Sequence, residues 1–545
     1  MIPGSDGLAV GSVLPFLVVV LPTVAALVVY RSSRSRVRGV VSLGTTGLTF
    51  ALLGWMVIDA GTNRIHRFDG PQIAPNVPIE LGGDTVGLLF AVTTAGVYSL
   101  TVPYAIHRLR RGRIDGERRI LACLMASQAV ALGAALANNL LILFVFLELL
   151  VLTTYPLIAH AEDDGARRAG YAYLAYGFTG GLLVLIGTRL MYLKADTISF
   201  VDGGLAHIGA AAVSNSVTLH LALILFVLGF AIKAAVVPFH SWFVHAKTAD
   251  TPIYGSVFAV VVLNAGMLGI VRVVVDPFGT APVATALLLV LGMVTIGVAG
   301  TMSLGMERGR ERFAYLAIAS GGVPLVGLGG LSGEGRWMVL AFIPLYSVGL
   351  LAGFLACADL ERSRSTWDRQ PNPLTMIVLG LAAMWLVSVI GLAAIGVVWQ
   401  LLSITPAIVW VPATVSLVYV TFVHAIGLWP AIRGLRSHRS IPVDAIDVDR
   451  FTTITGWGPF DRAVNDCYRV MTAGGRWGSR IASAAMEAVR NPDTTLERTI
   501  PTRLRPWYTR RRRRTPGLTG AKLTMDGSIY VIVVALTIAL ILGLR

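Results

Sequence analysis

Two ionisable side chains stand inside long apolar runs, and their chemistry frames what the chain can do. Glu148 lies in Ala137-Asn-Asn-Leu-Leu-Ile-Leu-Phe-Val-Phe-Leu-Glu148-Leu-Leu, and Lys233 lies in Leu228-Gly-Phe-Ala-Ile-Lys233-Ala-Ala-Val-Val-Pro238-Phe-His240. A charge at the middle of a membrane span costs about 2.5–3.5 kcal/mol on insertion scales, so its presence there points to function. Burial disfavours the charged form of either group, and an opposite charge nearby favours it. A Glu/Lys pair in a low-dielectric core can therefore pass a proton as its spacing changes. The alternative is a static ion pair that only fixes helix packing, although buried pairs are a weak source of stability. The lysine is conspicuous because the whole chain has only Lys194, Lys233, Lys247 and Lys522.

The residues after Lys233 extend this reading. Pro238 lacks a backbone N–H and is expected to break the helix. A broken helix at membrane depth is tolerated where it is buried or lines a hydrated cavity. His240 and His245 follow the break, and histidine titrates near neutral pH and can shuttle protons. Each is equally compatible with a structural role.

The elements that must hold these residues are membrane spans. The chain has 545 residues, 55% hydrophobic and 14% charged, where a soluble domain carries roughly 25% charged residues. Apolar runs of about 20 residues recur from end to end, each long enough to cross a bilayer core of about 30 Å. We read about fourteen spans: 12–30, 39–59, 84–106, 120–137, 139–159, 170–193, 217–237, 252–275, 281–303, 313–330, 337–358, 374–397, 403–427 and 527–544. The first is expected to be a retained helix rather than a signal peptide, because no basic n-region precedes it and arginines follow it.

Charge alternates between successive loops. Arg31/Arg34/Arg36/Arg38, Arg108/Arg110/Arg111/Arg113/Arg118/Arg119, Arg167/Arg168, Lys247, Arg308/Arg310/Arg312 and Arg362/Arg364/Arg369 occupy every second connection, and the intervening loops hold at most two basic residues, as in Arg64 and Arg67. The positive-inside rule then puts the N-terminus outside and the arginine-rich loops in the cytoplasm. The net charge of +15 is thus a topology signal, not a nucleic-acid footprint. Between 431 and 526 the composition becomes polar and basic. Phe460, Val464, Cys467, Met471, Trp477, Ile481, Ala485 and Ala488 recur there at helical spacing, which predicts a cytoplasmic amphipathic helix lying on the membrane, on a partner or on the bundle. The run Arg510 to Arg514 reads as an anchor to anionic lipid.

Several classes are excluded. Cys123, Cys357 and Cys467 are far apart and form no metal or disulfide framework. No nucleotide-binding loop, catalytic triad or metal-ligand cluster occurs, so no cofactor is expected and the chain alone is not expected to catalyse bond chemistry.

Taken together these stretches resemble the antiporter-like, proton-conducting subunits shared by respiratory complex I and Mrp-type cation/proton antiporters. Asn138-Asn139-Leu-Leu with Phe146-Leu-Glu148-Leu-Leu resembles that family's glutamate-bearing fifth helix, and Thr154-Tyr-Pro-Leu157 is most similar to the Mrp D subunit. Arg168-Ala-Gly-Tyr-Ala-Tyr-Leu174 with Gly180-Gly181 resembles the next helix, and Lys233 through Trp242 with Thr251-Pro252 the lysine-bearing broken helix and its turn. The resemblance implies an all-α polytopic membrane protein with two inverted five-helix repeats and a broken helix 7. The domains would be helices 1–3 at 1–110, a first half-channel at 111–276, a second at 277–430, the basic segment at 431–526 and a last span at 527–545. It also implies partners: other integral membrane subunits of an Mrp-like or complex I-like assembly, with protons and Na⁺ as the moving ions.

Under the resemblance Glu148 and Lys233 take the family's glutamate and lysine, while Asn264 stands where an eighth-helix lysine is expected. Asparagine can hold water but cannot store a proton. The second half departs further. Ala314-Tyr315-Leu-Ala-Ile-Ala-Ser320 replaces Ala-Tyr-Ser-Ser-x-x-His, Ile343-Pro-Leu-Tyr346-Ser-Val-Gly-Leu350 carries no lysine, and Gly391 to Gln400 has neither proline nor charge. The second half-channel thus reads as degenerate. Three functions stay open at this point: an Mrp-type antiporter subunit, a complex I-like or hydrogenase-linked subunit, and a structural subunit that moves no ions.

Overall fold

The computed structural model describes residues 8–74, 77–110, 116–161, 163–195, 198–200, 216–246, 253–273, 282–306, 309–330 and 334–365, together with scattered helical residues between 381 and 424. The chain divides into two units, residues 1–72 with 76–450, and residues 73–75 with 451–545; the contacts below all lie within the first. The expected amphipathic helix at 460–488, the Arg510–Arg514 run, the span at 527–544, Lys247 and the Thr251-Pro252 turn lie outside the described residues.

In a bilayer every backbone polar group must find its partner inside the protein, so long apolar runs become helices. They do so at Leu14–Arg31 (α1), Ser35–Gly61 (α2), Thr85–Arg110 (α3), Glu117–Ala135 (α4), Leu140–Ile158 (α5) and Asp164–Ala195 (α6). Val217–Lys233 (α7), Pro282–Gly305 (α9), Gly309–Gly330 (α10) and Glu334–Ser365 (α11) follow, with α8 running over Tyr254–Val273. Among the described residues ten helices are long and apolar enough to cross a membrane, and α7 is a shorter apolar helix. The spans read from the sequence agree with these helices through α11. The protein is a polytopic helical membrane protein. Its outer helices show large apolar side chains to the surroundings, such as Leu27, Val40, Trp55 and Ile58, whereas α8 is buried almost throughout.

One end of the bundle carries a small sheet that the sequence reading did not anticipate. Leu8–Gly11 (β1), Arg64–Ala74 (β2) and Val77–Gly82 (β3) form three strands in that order, and β1 runs parallel to β2 with Leu8 opposite Arg64. The sheet meets the starts and ends of several helices. Gly82 N–H donates to Leu136 O at 2.8 Å and Asn138 N–H to Glu80 O at 3.1 Å. Asn139 then caps α5: its Oδ1 accepts from Ile142 N–H at 2.8 Å while its Nδ2 donates to Pro78 O at 3.0 Å. A side-chain oxygen here satisfies an N–H that the first turn leaves without a partner. Asn139 of the Asn138-Asn139 doublet is thus explained by where α5 starts.

Two ion pairs clamp opposite ends. Arg38 reaches Glu117 at 2.5 Å, and Ser35 Oγ donates to the same carboxylate at 2.8 Å. This brings the starts of α2 and α4 together on the arginine-rich end. Near the sheet, Arg272 at the close of α8 makes a bidentate pair with Asp84 at the start of α3, with Nη2 to Oδ1 at 2.6 Å. The two ends are those that the alternating loop charges separate.

Candidate proton-transfer site

Glu148 is the ninth residue of the 19-residue α5, so at 1.5 Å per residue it stands near mid-span. Lys233 is the last residue of α7. The two meet: Lys233 Nζ donates to Glu148 Oε1 at 2.8 Å and to Gly177 O of α6 at 3.1 Å. Both side chains are buried, with 5% and 9% of their surface exposed. The pair is therefore a desolvated, hydrogen-bonded ion pair. Its attraction is strong in a low dielectric and stands against a large desolvation cost.

Glycines on α6 make room for it. A Cβ at Gly181 would fall 2.0 Å from Glu148 Oε1, so the carboxylate occupies the space a side chain would fill. Gly177, one turn earlier, offers its carbonyl to the amine. Gly180 serves a different purpose. Its missing Cβ lets α6 lie against α7, where Gly229 O would be 2.8 Å away. The Gly180-Gly181 doublet thus combines a helix contact with a notch for an anion.

The helix ends at Lys233, five residues ahead of Pro238. Ala235 adopts a left-handed backbone (φ 52°), a conformation unfavourable for a residue with a Cβ. Several of the freed backbone groups find partners. Ala235 N–H returns to Ile232 O and Val236 N–H to Ala231 O, Trp242 Nε1 donates to Ile232 O at 2.9 Å, and Val237 N–H donates to Thr295 Oγ1 of α9 at 3.1 Å. A five-residue helix, Ser241–His245, follows. The expected break is present, but it begins at the lysine and Pro238 lies inside the unwound segment.

α8 packs directly on this segment. A Cβ at Gly266 would come within 2.4 Å of Ala234 N and 2.7 Å of Lys233 C. The first half of α8, Tyr254–Val262, is a π-helix, a rare form that often marks functional positions. Between α5, α6, α7 and α8 a cavity of about 20 Å³ adjoins Lys233, lined also by Leu150, Tyr173, Trp242, Val262 and Gly266. That is room for a single water molecule.

The structure brings Glu148 and Lys233 together and places the other expected residues elsewhere. His240 lies beside Tyr315, with ring centroids 6.2 Å apart. His245 is exposed and its Nδ1 faces Ser241 O at 2.7 Å. Asn264 turns towards α11, where its Nδ2 donates to Ser347 Oγ at 2.8 Å. The small cavity meets α8 at Val262, Ala265 and Gly266, so the asparagine is not the first group beyond Lys233.

The second half holds a titratable group that sequence reasoning missed. His424 is fully buried, and its Nε2 lies 2.9 Å from Ser320 Oγ of α10. A histidine inside the apolar run 403–427 was the available signal. Its partner stands 104 residues away in the chain, beyond the reach of any local pattern. Among the described residues no group of three or more His, Cys, Asp or Glu side chains could hold a metal ion.

Comparison with known proteins gives a consistent family. The model of the NADH:quinone oxidoreductase/Mrp antiporter transmembrane family matches residues 137–428, which include Glu148, Lys233 and His424. The chain is 31% identical over 251 residues to NADH-quinone oxidoreductase subunit N of Caulobacter sp. (strain K31), covering 45% of this chain and 51% of that protein. It is 28% identical over 363 residues to the D subunit of a probable K⁺/H⁺ antiporter of Rhizobium meliloti (strain 1021), covering 64% of this chain and 66% of that protein. The chain thus spans about half to two thirds of the curated relatives it matches. Two solved structures share the fold. One is the membrane-bound sulfane sulfur reductase, an archaeal respiratory membrane complex, with TM-score 0.67, 19% identity, and 84% of this chain and 97% of that one covered. The other is the Mrp complex from Dietzia sp. DQ12-45-1b, with TM-score 0.67, 20% identity, and 79% and 81% covered.

Proposed function

Because the chain belongs to the NADH:quinone oxidoreductase/Mrp antiporter transmembrane family, we propose that it is an ion-translocating membrane subunit of a multisubunit cation/proton antiporter, in the manner of an Mrp D subunit. The observation that carries this reading is the buried Glu148–Lys233 pair at the end of a broken helix. Lys233 is joined to an unwound segment rather than to a rigid turn. A small movement of residues 234–240 would lengthen the pair, and an amine parted from its carboxylate in a low-dielectric core is driven to release its proton. The adjoining space for one water offers the first acceptor. Closing the pair again favours the charged amine. The protein would thus couple a change of backbone position to proton uptake and release at one site.

In this reading the partners are other integral membrane subunits and the lipid bilayer, and the cations are protons and Na⁺. The N-terminus faces outward, with the segment 431–526 on the cytoplasmic side. The half-channels occupy 111–276 and 277–430. The likeness to the D subunit of a K⁺/H⁺ antiporter over 363 residues supports the antiport function. The identity to subunit N favours a second reading, a proton-conducting subunit of a complex I-like machine.

One experiment separates them. Vesicles carrying the assembled complex are energised, and proton efflux is followed on addition of Na⁺ or K⁺, then on addition of a quinone with its reductant. Cation-driven efflux that disappears in Glu148→Ala and Lys233→Ala at equal assembly supports the antiporter subunit. Efflux coupled only to quinone reduction supports the second reading, and flux unchanged in both variants refutes an ion-translocating role for the pair.

A further inference from the structure

The second half carries no lysine, and Gly391 to Gln400 has no proline where the resemblance leads one to expect a broken helix, yet its described residues enclose a hydrogen-bonded cluster of their own. Ser320 Oγ, on α10, lies 2.6 Å from Leu316 O and 2.9 Å from His424 Nε2. Tyr346 of α11 donates to the same Leu316 O at 3.1 Å. His424 Nδ1 lies 2.8 Å from Val420 O, one turn earlier. Ser320 and His424 are fully buried, and Tyr346 is nearly so.

The donors and acceptors can be counted. Val420 O only accepts, so His424 Nδ1 carries a hydrogen and Nε2 is the atom free to gain or lose one. With a neutral imidazole the Ser320 hydroxyl donates to Nε2. With a charged imidazole Nε2–H donates to Ser320 Oγ, and the hydroxyl hydrogen turns to Leu316 O. Both arrangements leave His424 and Ser320 hydrogen-bonded at the same heavy-atom positions. They differ by one proton and the rotation of one hydroxyl. The cluster can therefore accommodate either state without moving its heavy atoms.

We infer that the Ser320–His424 pair is a proton-holding station of the second half, with histidine from one span and its hydroxyl partner from another. The inference rests on the ion-translocating reading above. A proton reaching Ser320 Oγ is taken up as the hydroxyl passes its own hydrogen to Nε2, and the new Oγ–H turns to the Leu316 carbonyl. Release runs the same two transfers in reverse. Among the described residues the polar groups of the packed helices in this cluster are the Ser320 and Tyr346 hydroxyls and the Leu316 carbonyl. Next to Tyr346, Ser347 accepts from Asn264 of α8. Helix α11 thus carries two separate polar contacts, Ser347 with α8 and Tyr346 with α10.

The test uses the complete complex reconstituted into vesicles, with proton flux read by an internal pH dye. His424→Gln keeps a side-chain amide near Ser320 but cannot hold the proton, and flux is expected to fall at least about tenfold at equal assembly. The exchange Ser320→His with His424→Ser returns the imidazole to the same place from the other helix and is expected to restore flux to within about threefold of wild type. Ser320→Ala, which leaves the histidine in place, is expected to displace the pH–flux profile. Flux in His424→Gln within about twofold of wild type, with Glu148→Gln inactive, overturns the inference while the ion-translocating reading stands. Flux intact in both variants overturns both. If His424→Gln fails to assemble, an unchanged pH–flux profile in Ser320→Ala overturns the inference by itself.

Discussion

Glu148 occupies the space that a side chain at Gly181 would fill: a Cβ there would lie 2.0 Å from the carboxylate oxygen that holds Lys233. The anion and the glycine therefore form one device on two helices. Gly181→Ala pushes against the movable end of a side chain, so the fold yields by swinging the carboxylate away from Lys233. We expect Gly181→Ala to assemble with a loss of about 1–2 kcal/mol while proton flux falls at least about tenfold. Gly180→Ala meets the Gly229 carbonyl, which is backbone and cannot swing aside. It is expected to lower assembled complex and melting temperature more than Gly181→Ala does. Flux normalised to assembled complex, beside a thermal melt, checks both.

The unwound segment after Lys233 depends on a few side chains that satisfy its backbone. Trp242→Phe keeps an aromatic ring but removes the donor to Ile232 O, leaving a buried carbonyl one bond short. A loss of about 1–3 kcal/mol is expected, read as a lower melting temperature of the purified protein. Thr295→Val, which removes the acceptor of Val237 N–H, should produce a loss of the same order.

The Asp84–Arg272 clamp predicts an asymmetry. The guanidinium side chain is 3% exposed and the carboxylate side chain 35%. Asp84→Ala leaves a buried charge without its carboxylate and is expected to cost about 3–5 kcal/mol. Arg272→Met leaves a carboxylate that water can reach, so its melting temperature should fall by clearly less. Equal losses would show that the pair is not desolvated as its exposures indicate.

Much of this was legible in the sequence, for identifiable reasons. Apolar runs of bilayer length forced α1 through α11, and charges inside two of those runs exposed Glu148 and Lys233. The sheet was not legible, because Arg64–Ala74 shows no strand alternation and pairs with residues 8–11, far away in the chain. Pro238 marked the break, but the helix stops at Lys233 because Ala235 and the Trp242 and Thr295 bonds set the geometry. Asn264 was read from its position in the family pattern, whereas the packing of Gly266 on Ala234 turns it to Ser347. Ser320 read as a lost histidine. Only the fold shows that an imidazole reaches the same hydroxyl from another span.

The orientation has its own test. Single cysteines at Ser33, on the arginine-rich end, and at Asp69, in the sheet, are placed in a background with Cys123, Cys357 and Cys467 replaced by serine. In intact cells an impermeant thiol reagent is expected to label position 69 and to reach position 33 only after lysis. The reverse pattern inverts the topology.

The most direct measurement is proton flux through the reconstituted complex with Glu148→Gln and Lys233→Met, each compared with wild type at equal assembly. Both replacements keep the side chain's length and remove its charge. Each is expected to lower flux at least about tenfold, with the complex intact. Flux within about twofold of wild type in both variants would make the pair a packing device with no part in proton transfer.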